Sequence, residues 1–239
     1  MFVLFRRLPG EKTSASALPQ DFSANTPRLL VLPVTGVLLI AAAGLADLYE
    51  GFGLGNLIGQ FLAAAGPDHI AVSTAVTSAL GLSPTAQKLL GVLSLGSAAA
   101  LFPTISACRR GGAFQGASLL LIPPVALVIR LVAAYRLDSV NPALSAYYVE
   151  LLALVFLTLG FYRLSSFAFH AGQLRLYAFY TGAAVVLSMA ALADGGPYLS
   201  SLLLYAGGAS VLMGFLLLRL ASPVPSTRQE EPPDLTSQS

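Results

Sequence analysis

Three charged residues stand where charge is costly in this chain. Arg130 lies six residues before Arg136, near the end of a long apolar run; Glu150 lies near the start of the next run, and Asp47 near the end of the first. An arginine and a carboxylate inside apolar stretches have two uses. They pair and lock helices together, or they hold an ion or polar solute whose charge they complement. On the helical rise, Arg130 is about 9 Å inside the Arg136 end and Glu150 about 4 to 5 Å beyond Tyr147. Both depths allow snorkelling toward headgroups. Arg130, Glu150 and Asp47 are therefore the candidate ligand-binding residues, with a structural ion pair as the plainer alternative. Glu150 is the expected partner of Arg130, because both flank the short loop 137–144, and Asp47 is the competitor. The same run as Arg130 carries Pro123 and Pro124. Read as mid-span residues, they remove two backbone donors and push away the carbonyls of Leu119 and Leu120, which either bends the helix or opens a cavity. A bend is the simpler expectation.

Other reactive groups point nowhere specific. There is no His pair at metalloprotease spacing, no Gly-x-Ser-x-Gly and no phosphate-binding glycine loop, so no enzymatic activity, metal or cofactor is expected. The single cysteine, Cys108, excludes an internal disulfide. Beside Arg109 and Arg110 it reads as an ordinary loop thiol rather than an activated or lipidated one. His69 and His170 fall on opposite sides of the expected topology and cannot share a metal. A net charge of +2 gives no reason to expect nucleic acid as a partner.

The elements that must position these residues follow from composition. The chain has 239 residues, 56% hydrophobic and only 10% charged, against roughly 25% charged in soluble domains. Mean hydropathy is +0.76. These values call for an apolar solvent, so the expected fold is all-α: a polytopic integral membrane protein built as a bundle of six transmembrane helices. The apolar runs place the spans at about residues 29–48, 87–107, 114–136, 145–163, 176–193 and 198–219. Residues 1–28 form a polar tail and 221–239 a Pro-rich tail expected to be disordered. The first run, following Arg6, Arg7, Lys12 and Arg28, resembles a signal peptide with Ala41 and Ala43 at a cleavage site, but its length favours an uncleaved span.

Residues 51–83 hold two apolar pieces, each too short to cross. Leu54, Leu57, Ile58, Phe61 and Leu62 share one helical face, so the segment is expected to lie in the interface, or less simply to form a re-entrant hairpin. Ser83 and Pro84 then start the second span. With this count, ten of the 13 basic residues fall on the side of the termini, leaving Lys88, Arg130 and Arg136 on the other. The positive-inside rule then puts both termini in the cytoplasm of a cell-membrane protein. Most tyrosines sit near span ends, as interfacial rings do.

Small residues recur every four positions at Ala206, Ser210 and Gly214, and at Gly96, Ala100 and Thr104. Such faces let helices approach closely, chiefly within the bundle, with a membrane protein partner as the second use. The expected partners are thus the lipid bilayer and a further membrane protein. Two functions fit: a non-enzymatic accessory, scaffold or interaction subunit, or a small-solute transporter or substrate-binding subunit with an outward-facing pocket near Arg130, Glu150 and Asp47.

Overall fold

A computed structural model describes residues 27–54, 84–110, 117–138, 144–169, 172–194 and 199–221. These residues form six helices long and apolar enough to cross a membrane, and among them there is no strand. In chain order they are α1 (Val31–Gly51), α2 (Pro84–Arg110), α3 (Ile122–Asp138), α4 (Leu144–Ala168), α5 (Leu174–Ala193) and α6 (Leu199–Ala221). Short 3-10 turns, Pro27–Leu30 and Ala117–Leu121, lead into α1 and α3. The tails and the segment 55–83, expected to be interfacial or re-entrant, lie outside the described residues.

Each helix packs on its sequence neighbours, and α6 packs on α1, so the bundle closes as a ring in chain order. Helix α4 also touches α6 across the ring. Glycine makes the tightest of these contacts. A Cβ added at Gly36 of α1 would lie 2.7 Å from the carbonyl oxygen of Gly207 in α6, and one at Gly44 would lie 3.0 Å from that of Gly91 in α2. Helix α1 is thus pressed against both flanking helices by glycine on either side, the close approach that small residues permit in membrane bundles. On α6 the contact face runs through Gly207, Val211 and Gly214, and Gly214 takes Pro33. This is one step round from the Ala206–Ser210–Gly214 line, but it serves the expected packing within the bundle.

The centre is filled by Leu101, Leu157, Tyr177, Leu212 and Phe215, all essentially inaccessible. Tyr177 donates its hydroxyl hydrogen to the Leu212 carbonyl at 3.1 Å, tying α5 to α6. The outward faces carry exposed Leu38, Val92, Phe102, Val132, Val186 and Met189. Apolar side chains on both the inside and the outside are what a bundle in hydrocarbon needs.

Three expectations are corrected. Pro123 and Pro124 do not kink the middle of a span: they are the second and third residues of α3, just after the 3-10 turn. Their missing donors fall in a first turn, where those N–H groups have the least to lose. Helix α4 does not end at residue 163. It runs on to Ala168, with the hydroxyls of Ser165 and Ser166 donating back to the carbonyls of Tyr162 and Arg163, each at 2.7 Å. The residues that look like a polar connection satisfy themselves inside the helix. Cys108 is not a loop residue either, being buried in the core at the end of α2.

Candidate functional site

Arg130 of α3 points into the ring and is 7% exposed; Asp47 of α1, four residues before the end of its helix, is 1% exposed. Arg130 Nη1 donates to Asp47 Oδ2 at 2.6 Å, and Nη2 donates to the hydroxyls of Ser200 and Ser201, in the first turn of α6, at 3.3 and 3.4 Å. Helix α3 packs on α2 and α4, while Asp47 and the serines belong to α1 and α6. The arginine side chain therefore spans the ring and ties three helices at one end. The Gly36–Gly207 interface brings α1 and α6 together, and Gly44 against Gly91 holds α1 on α2. A guanidinium offers donors in a planar fork, and here the fork meets a carboxylate and two hydroxyls.

Glu150 is not the carboxylate that meets Arg130, contrary to the sequence expectation. It is half-buried on α4, with interactions of its own. Sharing a loop sets the level of two residues on antiparallel helices but not the direction each faces. Of the three candidates, Arg130 and Asp47 come together. Sequence reasoning missed Ser200 and Ser201, whose hydroxyls in the first turn of the sixth span, at the same end as Arg130 and Asp47, were the available signal. Nearby, Gln87 Nε2 makes a long 3.5 Å hydrogen bond to Glu50 Oε2, and the Lys88 ammonium sits 4.4 Å from the centre of the Phe52 ring.

Beside the ion pair is a small cavity lined by Arg130, Ser94, Ser97, Pro123, Leu127 and other apolar side chains. Water centres have about 20 Å³ there, room for about one molecule. The Ser97 hydroxyl donates to its own helix at the Leu93 carbonyl, 2.8 Å away. Leaving either charge without its partner in such a place costs more than the pair contributes.

A second arginine lies within a span at the opposite end of the bundle. Arg163, five residues before the end of α4, has its guanidinium carbon 5.7 Å from the centre of the Tyr180 ring on α5 and 6.0 Å from that of Tyr162. Its Nε is buried and has no acceptor. With the span ended at residue 163, the sequence reading counts this arginine among the basic residues on the side of the termini rather than as a charge within a span. Among the described residues, no three His, Cys, Asp or Glu side chains converge as metal ligands. Comparison with family models, curated proteins and solved structures gave no match.

Proposed function

We propose that this chain is a multi-pass integral membrane protein without enzymatic activity, acting as an accessory or scaffold subunit through contacts with other membrane proteins. The observation that carries this reading is the state of Arg130. Its donors are engaged by Asp47, Ser200 and Ser201 within the bundle, and the cavity beside it has room for about one water. A side chain engaged in this way locks helices rather than waiting for a solute. The exposed apolar faces supply both a lipid surface and a surface for a neighbouring span. The charge bias of the sequence supports a topology with both termini in the cytoplasm.

Two experiments test this. Reporter fusions after Arg110, Arg175 and Arg219 should read inside, and fusions near Pro67, Asn141 and Gly195 outside; an outside signal at Arg110 would overturn the topology. Purified protein should show no stabilisation in a screen of small solutes, and should co-purify from its native membrane with a partner in fixed ratio. A transporter is the second reading, favoured by the Arg130 side chain in the cavity wall next to Pro123. A solute that raises Tm, and whose uptake into proteoliposomes is lost in Arg130→Gln, would replace the scaffold reading with transport.

A further inference from the structure

We propose that Arg163, between Tyr162 and Tyr180 where α4 meets α5, binds the phosphate of an anionic lipid headgroup. The inference rests on the membrane reading and adds a site to it. Arg163 lies within a span yet has no carboxylate beside it among the described residues; its contacts are two aromatic rings. A buried N–H without an acceptor is costly and asks for one, and the Nε of Arg163 is in that position. The unesterified oxygens of a phosphodiester match the guanidinium fork. The rings hold the cation over their faces and fix where the fork lies.

Depth and charge agree with this ligand. Arg163 is about 7 to 8 Å from the end of α4 on the helical rise, a level from which its fork reaches the headgroup layer. Tyr162 is 53% exposed, and Phe169 and Phe179 close by are 49% and 48% exposed, so the site opens outward from the bundle toward lipid. The carboxylates of the described helices are segregated. Asp47, Glu50, Glu150 and Asp194, with the backbone position of Asp138, belong to the opposite end together with Lys88, Arg130 and Arg136; Arg163, Arg175 and Arg219, with the backbone positions of Arg109 and Arg110, belong to this one, to which the described helices bring no carboxylate. A choline headgroup would bring a further cation among these arginines. A headgroup with net negative charge does not, and basic sites between spans select such lipids.

The test uses the full chain purified in a neutral detergent, with phosphatidylglycerol, phosphatidylcholine and inorganic phosphate as probes, read by native mass spectrometry and by Tm. Phosphatidylglycerol should remain bound and raise Tm, phosphatidylcholine should bind more weakly, and Arg163→Gln should weaken phosphatidylglycerol about tenfold. Arg163→Lys should fall between, since a point charge replaces the fork. Should Arg163→Gln not fold, Tyr180→Leu keeps the charge and should still weaken binding measurably. Undiminished binding in Tyr180→Leu, or in folded Arg163→Gln, overturns the site. Equal binding of the two lipids overturns the anionic preference while leaving the membrane reading intact. An equal Tm shift from inorganic phosphate assigns a free anion and overturns the lipid. Release of the chain from membranes at high pH would instead remove the membrane reading itself.

Discussion

Arg130 and Arg163 are the same residue in nearly opposite circumstances. The first points into the ring, and its nitrogens meet Asp47, Ser200 and Ser201. The second points between two aromatic rings at the other end and keeps a buried Nε without an acceptor. An arginine in an apolar environment must find compensating groups somewhere. At the Asp47 end the protein supplies them, so the charge becomes a clamp between helices. At the Arg163 end the described residues supply only π faces, so the compensation is left to the surroundings. The charge of an arginine within an apolar helix therefore says little about its role; the identity of its acceptors decides it.

The largest expected effect comes from breaking the clamp. Asp47→Asn or Arg130→Gln alone should lower stability by about 3 to 5 kcal/mol, because the remaining charge is buried without its partner. The double variant should recover a large part of that loss. Unfolding of the detergent-solubilised protein by a denaturing detergent measures both, and strictly additive losses would remove the pairing. Glu150→Gln should cost clearly less than Asp47→Asn. If it costs as much, the sequence-based choice of partner was right and the clamp involves α4.

The clamp also depends on the glycines that press α1 against its neighbours. Gly36→Ala puts a methyl 2.7 Å from the backbone of α6 at both Gly207 and Val211. Backbone cannot swing aside as a side chain can, so a loss of about 1 to 3 kcal/mol is expected. Gly96→Ala is the control, since its nearest neighbour is 3.9 Å away on a side chain; it should be neutral or slightly stabilising. Equal gains at the two positions would mean that helix propensity, rather than close approach, sets the effect. The serines come next. Their hydrogen bonds to Arg130 are long, at 3.3 and 3.4 Å, so removing both hydroxyls should cost about 1 to 2 kcal/mol, measured in the same unfolding series.

The contrast between the two arginines also marks what could be read in advance. Six helices were legible because each apolar run is long enough to cross and is bounded by Gly, Pro or charge. Arg130 and Asp47 could both be nominated, since charge inside an apolar run stands out. Their pairing could not be chosen, because it depends on which way each helix faces once α1 is drawn onto α2 and α6 through Gly44 and Gly36. Arg163 was lost for a local reason. Ser165 and Ser166 look like a connection, and only their back-bonds to the α4 carbonyls reveal a helix that continues past them. The Pro123–Pro124 pair misled in the opposite sense, since the five-residue 3-10 turn before it makes the prolines a beginning rather than an interruption.

The smallest expected effect is the one that most sharpens the comparison. In detergent without anionic lipid, Arg163→Gln should change stability by no more than about 0.5 kcal/mol, in either direction. Two opposing terms set that value. The substitution gives up the contact of the guanidinium with Tyr162 and Tyr180, worth about 0.5 to 1 kcal/mol at a partly open site. It also removes the buried Nε whose hydrogen finds no acceptor, a defect of similar or greater size. Arg130→Gln in the same detergent should lose several times more, because there the protein itself holds the counter-charge. If Arg163→Gln proves as damaging as Arg130→Gln under lipid-free conditions, Arg163 has a compensating partner within the chain, and the two ends of the bundle handle their arginines alike. If the loss appears only when phosphatidylglycerol is present, the missing acceptor comes from the bilayer.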